Sequence, residues 1–114
     1  MKDVRLIKVT EEEVQVLQSE LYSYSELQRL GIHHWGNEEF YTALVTIDIA
    51  FRLWVTFRRK IESAQNSFTV RLKVSEAVVV LKCCYWNRDG RNDYEKHVAE
   101  KYKNLIDQQL KSIV

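Results

Sequence analysis

Apolar residues along this chain recur at three different spacings, and each spacing predicts a different kind of element. From residue 3 to residue 9 charged and apolar side chains interleave, with Val4 and Leu6 on one side and Ile7 and Val9 on the other, which is a weak extended signal. The spacing then lengthens. Val14, Leu17, Leu21, Tyr24 and Leu27 follow one another at three and four residues, which predicts a first helix over about 11–30 with Gln15, Gln18 and Glu26 on its outer face. Thr10 followed by Glu13 fits a capping box, and Glu11 and Glu12 suit the positive end of that helix. Gly31 after Leu30 is placed to stop it in the left-handed conformation, with Ile32 folding back onto Leu27 in a Schellman motif.

After the short connection His33-His34-Trp35-Gly36, Asn37 ahead of Glu38 and Glu39 reads as the next N-cap. The second helix is predicted over 38–65. Between Phe40 and Phe57 it is apolar around most of its girth: Phe40, Leu44, Ile47, Phe51 and Trp54 form one stripe, Ala43, Ala50 and Phe57 another. That pattern suits a central helix covered by its own chain or by a second copy, with Asp48 and Arg52 paired at i and i+4. Residues 68–74 return to strict alternation, so they are expected to be extended and to pair with 3–9 as a minor two-stranded ladder.

Ser75 is the expected cap of a third helix over 76–87, although the consecutive valines Val78, Val79 and Val80 also suit a buried strand. Asn87-Arg88-Asp89-Gly90-Arg91 is a turn, and Asn92 with Glu95 forms a second capping box. The fourth helix is predicted over 93–113, with Tyr94, Val98, Tyr102, Leu105, Ile106, Leu110 and Ile113 on its apolar stripe. The sum is a mainly α, four-helix bundle-like domain carrying a minor extended pair, with no internal repeat or linker to divide residues 1–114.

Composition agrees with long elements: the chain is 46% hydrophobic and 29% charged, with three glycines and no proline. No apolar leader pattern opens it, so a cytoplasmic location is the expectation. The apolar run from Phe40 to Phe57 carries Asp48 and Arg52 in its middle, which argues against a membrane span. The net charge of +1 conceals an asymmetry. Residues 1–50 carry four Lys or Arg against nine Asp or Glu, a balance of −5, while residues 51–114 carry thirteen against seven, a balance of +6. Such halves can attract within a fold or across a dimer, or present a basic face to an anionic partner.

Candidate chemistry is sparse. His33 and His34 beside Glu38 and Glu39 lack the spacing of a zinc site, since adjacent histidines diverge. Cys83 and Cys84 with His97 contain the atoms of a nucleophile and base but no recognisable oxyanion site, and adjacent cysteines on an apolar helix read as small core residues. Aligning Gly90 with the invariant glycine of a calcium loop puts Tyr85 and Lys96 where carboxylates belong, so that match fails. No cofactor motif and no metal site emerges, and catalytic residues are not assigned.

Two binding readings remain. The apolar stripe Phe40, Leu44, Ile47, Phe51 and Trp54, together with the tryptophans and tyrosines, points to a non-enzymatic interaction or assembly protein, a homodimer through the second helix or a complex with another protein. Alternatively Arg58, Arg59, Lys60, Arg71 and Lys73 form a cationic surface for an anionic partner, as in a nucleic-acid accessory factor; exposed Glu95, Glu100 and Asp107 on the fourth helix oppose phosphate there. A small enzyme or metal-binding protein is the third reading.

Overall fold

A computed structural model describes residues 2–113. Along the chain come β1 (Val4–Thr10), α1 (Glu11–Gly31), a short 3-10 turn (Ile32–His34), α2 (Asn37–Glu62), β2 (Ser67–Leu72), α3 (Val74–Tyr85) and α4 (Asp93–Ile113). The fold is mainly α with a two-stranded antiparallel ladder, as the spacing of apolar residues predicts. The valine run is helical. Ala77, Val80 and Cys84, with Val79 and Cys83 beside them, are buried together on one face of α3, a grouping that period-two alternation would have divided between two faces.

β1 and β2 pair with Val4 opposite Leu72, Leu6 opposite Val70, and Val9 opposite Phe68. All six of these residues face the core. The predicted grouping of Ile7 with Val9 is therefore corrected: Ile7 is exposed and Val9 is fully buried. The cause is a bulge between Leu6 and Val9, where Lys8 adopts φ of 54° and one extra residue restores Val9 to the inner face.

Two helix starts follow the predicted capping boxes, and other helix ends depart from the sequence expectation. Thr10 and Glu13 form the expected capping box, the Glu13 N–H donating to Thr10 Oγ1 at 3.2 Å and the Thr10 N–H to Glu13 Oε1 at 3.0 Å. Asn92 and Glu95 exchange the same two bonds at 2.8 and 2.9 Å. Gly31, however, has φ of −89° and belongs to α1, so no left-handed stop forms there. Its lack of a side chain serves a close approach instead: a Cβ at Gly31 would lie 2.5 Å from the Trp35 ring. Gly36, rather than Asn37, is the N-cap of α2. Helix α2 ends at Glu62, three residues before the predicted stop, because Ala64 turns into the left-handed region at φ of 56°. Lys73, not Ser75, caps α3, its backbone N–H donating to Glu76 Oε1 at 2.7 Å.

One core draws on every helix and both strands. Val14, Leu17 and Leu21 of α1, Leu53 and Phe57 of α2, and Val98, Tyr102 and Ile106 of α4 meet the inner face of the ladder. Helix α1 packs along α2 as an antiparallel hairpin, and α3 packs on α4. The fully buried residues of α1 end at Leu21; Tyr24 still packs against the core and the Trp86 ring, and beyond it the end of α1 and the start of α2 extend past the shared core. Gln18, predicted to be on the outer face, is buried, and its amide donates to the Trp54 carbonyl at 3.3 Å across the hairpin.

Candidate association groove

The two predicted stripes of α2 have opposite fates. Ala43, Ala50 and Phe57, joined by Thr46 and Leu53, are the buried face. The buried face is one side of the helix, so of the two expected covers, its own chain or a second copy, its own chain supplies the one over Ala43, Ala50 and Phe57. The other stripe lines a groove between α1 and α2. Leu44, Ile47, Phe51 and Trp54 face Leu21, Tyr22 and Ser25 across a hollow of about 610 Å³. Phe40 lies outside it, edge-on to Tyr41 with ring centroids 5.6 Å apart.

Phe51 stands 66% exposed at the lip of the groove. Tyr22, Leu27, Leu30, Trp35, Tyr41, Leu44 and Val45 add further exposed apolar surface to the same hairpin. A second hollow, lined by Leu30, Ile32, His33, Leu44 and Ile47 among others, continues the groove toward the hairpin tip. Polar groups on this face are already matched in charge: Arg52 pairs with Asp48, and Arg29 with Glu26 at 2.8 Å. Glu26, Arg29 and Asp48 belong to the lining of the hollow, so its apolar side chains lie among charges that are already paired.

Charged residues elsewhere do structural work that the linear pattern did not expose. Glu20, with its side chain 1% exposed, sits between two guanidiniums: Arg88 Nη2 donates to Oε1 at 2.7 Å and Arg91 Nη2 to Oε2 at 2.7 Å. Arg91 also donates to the Cys83 carbonyl at 2.8 Å, and Arg88 to Glu95 at 3.3 Å, so one carboxylate ties α1 to α3, α4 and the turn between them. Burial opposes ionisation of Glu20, yet the two guanidiniums prevail and hold its carboxyl below the ordinary range. Glu13 behaves alike. Burial pushes it up, but Lys101 Nζ at 2.7 Å, the Thr10 N–H and the Tyr102 hydroxyl at 2.8 Å bring it down. The opposite charge of the two sequence halves is thus spent partly within the fold, and Arg88 and Arg91 are withdrawn from any basic surface.

The five predicted anion contacts separate. Arg58 is tied to Glu62 at 3.2 Å, Lys73 stands at the start of α3, and Arg59 is exposed on α2. Lys60 and Arg71 do converge, with Arg5 as a third cation not among the five. Arg5 enters through strand pairing: it lies directly opposite Arg71, which could be found in the sequence only by fixing the ladder register.

Cys83 and Cys84 are free, buried thiols. Burial among apolar neighbours pushes Cys83 well up and Cys84 up to about 12, the reverse of nucleophile activation, while His97 is exposed on α4. Among the described residues no group of three His, Cys, Asp or Glu side chains gathers in an arrangement able to hold a metal ion. The chain matches no family model, no curated protein and no solved structure with which it was compared.

Proposed function

We propose that this chain is a non-enzymatic assembly protein whose α1–α2 groove docks onto a second copy of itself. The observation that carries the reading is the groove itself. Four of the residues singled out by helical spacing, Leu44, Ile47, Phe51 and Trp54, line one apolar hollow instead of filling the core. A two-fold contact requires a surface that is its own complement. This face supports that requirement in shape, because the projecting Phe51 ring stands beside an apolar hollow, and in charge, because Asp48 and Arg52 of two copies can exchange partners without net loss.

Helix α2 is also long and apolar enough to cross a membrane. The Asp48–Arg52 pair beside Phe51 favours a protein partner over hydrocarbon, since a protein surface supplies countercharges and lipid tails supply none. The setting we infer is cytoplasmic, where adjacent buried thiols stay reduced.

Because both native thiols are buried, an engineered surface cysteine is the readily accessible one. Ser25→Cys, which lines the groove and leaves the Phe51 ring in place, is expected to yield a disulfide-linked dimer on mild oxidation, whereas Tyr85→Cys, on a 74% exposed residue of α3, is expected to stay largely monomeric. Equal cross-linking of both variants, or none at Ser25→Cys, would overturn the reading.

A further inference from the structure

We infer that the outer face of the β1–β2 ladder is a binding site for a phosphate-bearing small ligand, held between Arg5, Arg71 and Lys60. The site shares no lining residue with the association groove, so it stands or falls separately.

Its starting point is an electrostatic cost. Arg5 and Arg71 are direct cross-strand partners, both exposed on the face turned away from the core. Like charges at opposed positions of a ladder repel and destabilise it. Of the six other arginines, Arg29, Arg52, Arg58, Arg88 and Arg91 each have a carboxylate partner, and Arg59, exposed on α2, is the one that does not among the described residues. Neither Arg5 nor Arg71 forms an ion pair with any described residue, and neither does Lys60, although a carboxylate in place of Thr69 or Thr56 would have supplied one.

The surroundings form a shallow, open depression. Thr56 and Lys60 of α2 lie beside the ladder, and with Arg5, Ile7, Thr69 and Arg71 they line a hollow of about 460 Å³ with no carboxylate in its lining. Asp3 appears only in the neighbouring hollow, beside Lys2, Arg5, Arg71 and Gln109. The Arg5 backbone is fixed in place: its N–H donates to Gln109 Oε1 at 2.9 Å, and Gln109 Nε2 donates to its carbonyl at 2.7 Å. Lys60 Nζ reaches the Thr69 carbonyl at 3.4 Å and keeps its remaining N–H groups free. The Thr56 hydroxyl is spent on the Arg52 carbonyl, which leaves two guanidinium forks, one ammonium and the Thr69 hydroxyl as donors.

Planar guanidinium forks match two phosphate oxygens at once, and two of them carried side by side on adjacent strands suit a diphosphate better than a single carboxylate. A bound dianion would also cancel the repulsion between the forks, so binding and ladder stability are coupled.

Thermal unfolding of the full chain at low salt, with and without sodium pyrophosphate, tests this directly. The wild type is expected to show a saturable rise in Tm that sodium chloride of matched ionic strength does not reproduce. The double variant Arg5→Gln/Arg71→Gln is expected to lose that rise while unfolding, without ligand, at the same temperature or higher, because the repulsion is gone. Lys60→Gln should weaken pyrophosphate binding at least about tenfold, the size of one charged hydrogen bond. An equal rise in the double variant, or one matched by chloride, would overturn the assignment. So would binding of a short DNA duplex without any response to pyrophosphate, which would make the face an extended polyanion surface.

Discussion

Glu20 is the residue on which the tertiary structure depends most visibly. Its carboxylate is enclosed by Arg88 and Arg91, so Glu20→Gln leaves two cations, one of them almost fully buried, without their countercharge. Breaking a buried ion pair from one side costs about 3–5 kcal/mol, and urea unfolding should register that loss. Glu26→Gln, which breaks a solvent-exposed pair with Arg29, should shift stability by less than about 0.5 kcal/mol. The same residues set the acid limb of stability. Glu13 and Glu20 ionise more readily when folded, so their contribution is present above the unfolded value near 4.5 and is lost as pH falls through their lower folded values. At the alkaline end the sign reverses. Cys83, Cys84 and Tyr102 hold their protons more tightly when folded, chiefly through burial, so stability should decline once pH rises above about 9, where unfolded thiols ionise. A pH series of thermal unfolding would show both limbs; a flat profile above pH 9 would contradict the burial of the thiols.

At the scale of elements, what could be read in advance depended on whether the cause was local. The capping boxes at Thr10–Glu13 and Asn92–Glu95 were legible because both partners lie within one turn. The end of α2 was not, since nothing local announces that Ala64 takes the left-handed conformation. That position suits glycine, and Ala64→Gly should stabilise the chain by about 1 kcal/mol, read as a higher urea midpoint with an unchanged slope. Gly31 misled for a related reason: its small size answers to Trp35, four residues on, and a contact of that kind leaves no mark in the helical pattern. The bulge at Lys8 likewise reversed the parity expected for Ile7 and Val9. For the candidate sites the contrast is sharper. The groove stripe followed from spacing along a single helix, whereas the Arg5–Arg71 pairing and the Glu20 clamp required the register and packing of distant segments.

For the whole molecule, the arrangement separates a consolidated half from an unsatisfied one. The ladder, α3, α4 and the adjoining halves of α1 and α2 share one core, stitched by the Glu13 and Glu20 networks. The projecting α1–α2 hairpin carries eight of the eleven large apolar side chains exposed among the described residues. Leaving that surface in water forgoes roughly 1.5–3 kcal/mol for each large side chain that a partner would cover. Self-association through the groove, as proposed, would resolve this imbalance with Phe51 inside the contact. Sedimentation equilibrium on the untagged chain and on Phe51→Asp tests it most directly. The wild type is expected at twice the 13.6 kDa chain mass and the variant at the single mass, with the same helical signal in both. A wild type that stays monomeric at every concentration, or a dimer that Phe51→Asp leaves intact, would contradict it.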